Sequence, residues 1–143
     1  MVIDAHQHPH PDVVRDMDEL DIHMAVLLPV GNDAFARIGE RMAEAPGRFI
    51  PFFWIRMDDI EGSVHELEAA VKEHGVRGVK FQPLVQHEYH DERRLYPVYE
   101  KCAELGLVIT FHSGIVAFYK EFGIPHLARY TNPLPLDQVA YDF

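Results

Sequence analysis

The sequence predicts an α/β fold in which buried parallel strands alternate with amphipathic helices. Two observations carry this prediction: short, nearly continuous apolar runs, and helix-spaced stripes of apolar side chains between them. Strand and helix alternate along the whole chain, as in proteins built from right-handed β/α units. The predicted strands cover residues 2–5, 24–30, 49–55, 76–81 and 107–111.

The helices are predicted from apolar residues that recur every three or four positions, which places them on one face. The three clearest stripes are Phe35, Ile38, Met42 and Ala45; Ile60, Val64, Leu67 and Val71; and Leu95, Val98, Cys102 and Leu105. Weaker helices are expected over residues 12–20 and 136–141. Asn32-Asp33 offers an N-cap for the second helix, and Gly75 and Gly106 are expected to end two helices.

Length, charge and cysteine content exclude several classes of protein. The 143 residues suit one domain and are too few for a complete (β/α)₈ barrel, which needs at least ~200. A formal net charge of −10 argues against nucleic acid or an anionic membrane as the partner. The single cysteine, Cys102, cannot form an internal disulfide and fits a reducing cytoplasm. No signal peptide is visible, and the apolar runs are too short to cross a membrane.

The pair His6 and His8 follows the first predicted strand directly. Residues two apart in an extended chain project to the same side, so both imidazoles can bind one metal ion. Zinc and similar divalent metals prefer nitrogen ligands of this kind. The alternative, equally open from the spacing alone, is a pair of solvated loop histidines.

His112 ends the fifth predicted strand and is followed by Ser113-Gly114. In parallel β/α folds, functional groups collect at the carboxyl ends of the strands, so His112 is expected at the same rim as His6 and His8. The alternative for a single histidine at this place is a hydrogen-bonded structural residue.

Three further polar residues lie on or directly after the predicted strands. Lys80 interrupts an apolar strand, so it needs a partner; an ion pair with an acidic residue such as Asp4 is the favoured interpretation, and a lysine carbamate bridging two metals is the alternative. Gln82 has the same parity and is expected to point inward with Lys80. Arg56 follows the third strand, where its guanidinium could hold a substrate carboxylate or simply belong to the loop.

The remaining histidines and the cysteine carry less weight. Cys102 lies on the apolar stripe of its helix and is expected in the core. His65 and His74 are expected at the surface and His23 in a turn, while His87 and His90 lie in the loop at the predicted functional rim. No role is predicted for His10 and His126.

Seven motifs follow one another along nearly the whole chain. They are Ile3-Asp4-Ala5-His6-Gln7-His8, Met17-Asp18-Glu19-Leu20, Ala25-Val26-Leu27-Leu28-Pro29, Gly47-Arg48-Phe49-Ile50-Pro51, Gly75-Val76-Arg77-Gly78-Val79-Lys80, Leu95-Tyr96-Pro97-Val98-Tyr99-Glu100-Lys101 and Phe111-His112-Ser113-Gly114. In this order they resemble the amidohydrolase-2 proteins. These are TIM-barrel members of the amidohydrolase superfamily that include aminocarboxymuconate-semialdehyde decarboxylase-like enzymes.

The resemblance implies a TIM-type (β/α)₈ fold of which residues 1–143 are the N-terminal portion, with about five β/α units. It implies a metal-dependent hydrolase or non-oxidative decarboxylase that acts on a small carboxylated or cyclic molecule. His6, His8 and His112 would be metal ligands, and the metal would activate a water or polarise a substrate oxygen. The family also uses a histidine after the sixth strand and an aspartate, its general base, after the eighth. Both would lie beyond Phe143, so no catalytic base is assigned here.

Two alternatives stay open. A half barrel leaves strand edges exposed, so the chain could be a non-catalytic product that self-associates into a homo-oligomer. A TatD-like metal-dependent nuclease shares the His-x-His start, but it needs a glutamate on the fourth strand, where this chain has Lys80 and Gln82.

Overall fold

The computed structural model describes residues 1–114 and 128–143 and contains a sheet of five parallel strands. The strands lie in the order in which they follow along the chain, each paired in parallel with the next. They form an α/β half-barrel, which confirms the predicted fold class. The strands are β1 (Ile3–Gln7), β2 (Met24–Leu27), β3 (Phe49–Trp54), β4 (Gly78–Phe81) and β5 (Val108–Phe111).

The helices follow the strands as predicted, with ends that differ by a few residues. They are α1 (Val13–Glu19), α2 (Ala34–Glu44), α3 (Ile60–His74), α4 (Pro83–Gln86), α5 (Tyr96–Leu105) and α6 (Leu136–Asp142). Helix α4 was not predicted, because four residues are too few to show a periodic pattern; Pro83 at its first turn is the only local signal. Within the described residues, no helix is long and apolar enough to cross a membrane.

The hydrophobic core lies on the outer side of the sheet, between the strands and the helices. One cluster joins β3 and β4 to α3 and α5, and it contains Val79, Phe81 and the buried thiol of Cys102, as predicted. A second cluster joins α1 and α2 to β2 and β3. Because successive strand residues point to opposite faces, Val79 and Phe81 in the core put Lys80 on the inner face of the sheet.

The two outer strands, β1 and β5, are more exposed than β3 and β4. Ile3 on β1 is 49% exposed and Val108 on β5 is 60% exposed. In the described part of the chain each of these strands pairs with a single neighbour, β2 or β4. Burial on both faces, expected for most of the strands, is therefore confirmed for β3 and β4, whereas β1 and β5 are the exposed edges expected of a half barrel.

Helix ends follow the capping predictions in part. Asp33 is the N-cap of α2, but its side chain makes no capping hydrogen bond. Asn32 instead accepts a hydrogen bond from the indole Nε1 of Trp54 at 3.2 Å. Helix α3 is capped by Asp59, whose carboxylate accepts from the backbone N–H of Gly62 at 2.9 Å.

Two glycines in helical segments are expected to respond oppositely to alanine. Gly75 ends α3 with a φ of +66°, so Gly75→Ala should destabilise the fold by about 1 kcal/mol. Gly39 lies inside α2 with open space where a Cβ would stand, so Gly39→Ala should stabilise by about 0.5–1 kcal/mol. Urea denaturation of both variants measures this; destabilisation by Gly39→Ala would contradict the helix assignment.

Candidate metal site at the strand ends

The end of β1 presents His6 and His8 close together. Their imidazole centroids lie 5.2 Å apart, with the rings nearly perpendicular. Nδ1 of His8 donates to the carbonyl of Leu28 at 2.8 Å, which leaves its Nε2 with a free lone pair. Both side chains are exposed at the sheet edge. The register between β1 and β2 shifts between Asp4 and Gln7, and the strand continues through Gln7, two residues further than predicted.

His112 stands at the end of β5, where its backbone N–H donates to the carbonyl of Phe81 at 2.9 Å. This bond continues the parallel pairing of β4 and β5 and places His112 beside Gln82. The imidazole makes one hydrogen bond to the backbone of Gly114. Its Nε2 is buried and has no hydrogen-bond partner among the described residues.

Lys80 is 1% exposed on the inner face of β4, paired in register with Trp54 and Thr110. The predicted ion pair with Asp4 is wrong: Asp4 instead accepts a hydrogen bond from the backbone N–H of His6 at 2.9 Å. In residues 1–114 and 128–143, no acidic side chain forms an ion pair with Lys80. Burial lowers the pKa of Lys80 to about 8.

The electrostatics link the imidazoles to Lys80. Neighbouring protein atoms partly remove His6 from water and lower its pKa, and the charges of Lys80, His8 and His112 act in the same direction. Partial burial is the main cause of a lowered pKa at His112, and the charge of Lys80 lowers this pKa further. Both shifts favour the neutral imidazole, which is the form that binds a metal.

The structure thus brings the predicted ligands to one end of the sheet without closing them around a point. His6 and His8 are in ring contact, and His112 lies within electrostatic reach of both. Among the residues that the structure describes, no group of three or more histidine, cysteine, aspartate or glutamate side chains is arranged to hold a metal ion. The donor set itself suits a divalent metal, because His112 offers a buried nitrogen to which none of the described residues is hydrogen-bonded.

Arg56 is engaged by the protein itself. Its guanidinium bonds to both carboxylate oxygens of Glu66, at 2.6 and 3.0 Å, and to Asp59 at 3.1 Å. These contacts tie the end of β3 to the first turns of α3. A substrate carboxylate would have to displace Glu66, so the geometry favours the loop-anchoring alternative and we leave Arg56 out of the proposed substrate site.

The histidines of the loop after β4 separate into two environments. His87 is exposed, has a φ of +55° and stacks against Tyr130 with centroids 5.8 Å apart. His90 is 2% exposed and packs on Phe111 at 4.7 Å, while its carbonyl accepts from the Tyr99 hydroxyl. The rim position predicted for His90 is therefore a buried structural one. His65 and His74 are exposed, as predicted, and His126 lies outside the described residues.

Burial of His90 should make folding sensitive to acid. Burial lowers the pKa of His90 from 6.5 to about 4, so the folded state favours the neutral ring. The associated stability is present above pH 6.5 and is lost as the pH falls toward 4. As the pH falls from 6.5 to 4, the free energy of unfolding measured in urea should fall by about 2–3 kcal/mol less in His90→Gln than in the parent chain. The exposed His65→Gln should lose as much as the parent; an identical loss in His90→Gln would refute the prediction.

A cleft that sequence patterns did not indicate opens at the ends of β2, β3 and β4. It has a volume of about 570 Å³ and is lined in part by Asn32, Trp54 and Gln86. Gln86 links two segments that line the cleft. Its side-chain Nε2 donates to the carbonyl of Ile55, and its Oε1 accepts from the backbone N–H of Gln82. Trp54, an aromatic residue at a strand end, was the signal that could have identified it.

Comparison with known proteins identifies the family. The family model described as Amidohydrolase matches residues 23–143. A curated relative, 2-amino-3-carboxymuconate-6-semialdehyde decarboxylase of Dictyostelium discoideum, is 31% identical over an alignment of 119 residues, and the match covers 71% of this chain and 33% of the relative.

Solved structures share the fold at lower identity. A 4-oxalomesaconate hydratase from Rhodopseudomonas palustris matches with a TM-score of 0.64 at 18% identity, over 78% of this chain and 52% of that one. A 5-carboxyvanillate decarboxylase from Novosphingobium aromaticivorans, solved with manganese and a nitrobenzoic acid, matches with a TM-score of 0.64 at 20% identity, over 86% and 42%. The chain thus spans a third of the curated relative and about half of these structures. The chain belongs to the amidohydrolase family, in its amidohydrolase-2 branch.

Proposed function

We propose that this chain carries the metal-binding strands of a metal-dependent decarboxylase or hydrolase that acts on a small carboxylated molecule. His6, His8 and His112 hold one divalent metal ion in this proposal. Support comes from the family match, from the name of the decarboxylase relative, and from the manganese in a solved structure of the same fold. Zinc, the metal expected from the sequence, and manganese both accept imidazole ligands.

The main support for the proposal is the buried Nε2 of His112, which has no hydrogen-bond partner within residues 1–114 and 128–143. A buried imidazole nitrogen normally has a hydrogen-bond partner, since leaving it unpaired costs about 1–3 kcal/mol. Nε2 of His112 lacks one among the described residues, and it lies at the strand ends that also present His6 and His8. A metal ion would satisfy this nitrogen.

Hydrogen bonds of the protein prepare the imidazoles for this role. The Leu28 carbonyl holds His8 with its proton on Nδ1, and Gly114 holds the ring of His112. Such contacts fix the tautomer and the orientation of a ligand. The lowered pKa values of His6 and His112 keep both rings neutral near pH 7. A bound divalent metal supplies an activated water or polarises a substrate oxygen.

Lys80 and Gln82 complete the proposed site on its substrate side. Lys80 lies on the inner face of β4, Gln82 directly follows that strand beside His112, and both side chains are buried. The proposed partner is a small molecule, and the proposed location is the cytoplasm, where a free thiol such as that of Cys102 stays reduced.

Equilibrium dialysis tests the proposal. The chain is dialysed against Zn²⁺ or Mn²⁺, and bound metal is measured by mass spectrometry. We expect one ion per chain, and loss of that ion when His6 and His8 are both replaced by alanine. The matched control is His65→Ala, an exposed histidine on α3, which should keep the metal. Equal metal binding by the double variant, or none by the parent chain, would contradict the proposal.

A second candidate, self-association of a non-catalytic half-barrel, is favoured by the exposed apolar edges. Ile3 on β1 and Val108 on β5 are both large apolar residues that are about half exposed or more. Unpaired strand edges of this kind pair readily with other chains. Sedimentation equilibrium should show a homo-oligomer that Val108→Lys weakens. A stable monomer at high concentration would exclude this candidate and leave the first one intact.

A further inference from the structure

The inner face of β4 buries a positive charge that the described residues do not balance. Lys80 is 1% exposed and has no ion pair or hydrogen bond within residues 1–114 and 128–143. Lysines are almost never buried without a partner, because a charge removed from water needs compensation. The acidic residue that sequence reasoning offered as partner, Asp4, bonds to the backbone of its own strand.

Two further polar groups lie beside Lys80 on the inner side of the sheet. We call the surface formed by Lys80, Gln82 and His112 the wall. Oε1 of Gln82 and Nε2 of His112 are both buried without a hydrogen-bond partner in the described part of the chain. The strand register puts Gln82 and His112 side by side, two residues along from Lys80 and Thr110. Three polar groups on or directly after two adjacent strands therefore face inward with unused bonding capacity. Such a wall fits a ligand that brings a negative charge.

Lys80 also stands close to the proposed metal ligands. It is close enough to His6 and His112 for its charge to oppose their protonation. The same charge would repel a divalent cation bound by these imidazoles, since like charges repel most strongly where little water separates them. This repulsion weakens metal binding without abolishing it, and an anion bound beside Lys80 would remove it.

We propose that the wall takes its metal ion together with a carboxylate, which the Lys80 ammonium holds, so that each ligand raises the affinity for the other. This inference rests on the proposed metal site. It adds Lys80 as the residue that holds the carboxylate, and it adds a coupling between metal binding and carboxylate binding. Reciprocity is required by thermodynamics: if a carboxylate tightens metal binding by some factor, the metal tightens carboxylate binding by the same factor.

The experiment measures Mn²⁺ affinity by electron paramagnetic resonance of the free ion, with and without saturating benzoate. In the parent chain, benzoate should tighten Mn²⁺ binding about 10-fold, within the usual range of coupling between sites. Neutral benzamide should have no effect. In Lys80→Met, Mn²⁺ alone should bind more tightly than in the parent chain, and benzoate should change its affinity by less than about twofold. Lys80→Arg, which keeps the charge, should retain coupling.

Lys72→Met is the matched control, because Lys72 is an exposed lysine paired with Glu68 on α3, and it should behave like the parent chain. Should Lys80→Met fail to fold by circular dichroism, ¹³C-labelled lysine in the parent chain with Zn²⁺ decides instead. Benzoate should then shift the Cε signal of Lys80 and no other lysine signal. Benzoate coupling that is the same in Lys80→Met, or a shift at other lysines only, would overturn the inference.

The outcomes separate the inference from the proposed function. If no variant binds metal, the proposed function fails, and the coupling fails with it. If metal binds through the three histidines but benzoate coupling does not depend on Lys80, only the inference fails.

Discussion

Replacing His112 with alanine should lower the affinity for Zn²⁺ or Mn²⁺ by at least about 100-fold. Loss of a residue that merely supports a metal ligand already costs 10–100-fold, and His112 is proposed as a ligand itself. The fold should persist, because the ring is at the rim, loses one hydrogen bond to Gly114, and has no partner of Nε2 to lose among the described residues. Competition with a fluorescent chelator measures the affinity.

The control for this variant is His87→Ala, which removes an exposed imidazole from the loop beside the site. It should leave the metal affinity within about twofold of the parent chain. If His112→Ala and His87→Ala had equal affinities, His112 would be a structural histidine, and the proposed ligand set would be wrong.

Replacing Phe81 with alanine should destabilise the fold by about 3–5 kcal/mol. Phe81 is 2% exposed on the outer face of β4, stacked on Phe111 at 5.2 Å and in edge contact with Tyr99 at 5.7 Å. Truncation leaves a cavity between the sheet and α5 and removes both aromatic contacts. The midpoint of urea denaturation gives the change in the free energy of unfolding.

Leu20→Ala provides the comparison, since Leu20 is an equally apolar residue that is 69% exposed. Its effect should stay within about 0.5 kcal/mol. A loss below about 1 kcal/mol for Phe81→Ala would mean that the cluster between the sheet and α5 does not hold the fold together.

The fold could be predicted because its signals are local. Apolar runs with helical stripes between them identified all five strands and the longer helices, and Gly75 and Gly106 ended their helices as predicted. What local patterns could not predict depends on neighbours in space. The extent to which Ile3 and Val108 are exposed follows from which strands β1 and β5 pair with, and no window of sequence around these residues carries that information.

The site was predictable in its positions but not in its contacts. His6, His8 and His112 reach the same end of the sheet because strand ends of a parallel sheet share a side. The partners of the charged residues could not be read from the sequence. Arg56 binds Glu66, ten residues away along the chain, and Lys80 forms no pair with Asp4. A long charged side chain has several possible partners within reach. Which pair forms depends on the packing of α3 against the sheet.

X-ray absorption spectroscopy of the metal-loaded chain tests the central claim most directly. Outer-shell scattering from imidazole counts the histidine ligands, and nitrogen neighbours of zinc are expected at about 2.0–2.1 Å. We predict the signature of three imidazoles in the parent chain and of two in His112→Ala. A first shell made of oxygen alone, or an imidazole count that His112→Ala leaves unchanged, would contradict a metal site built from His6, His8 and His112.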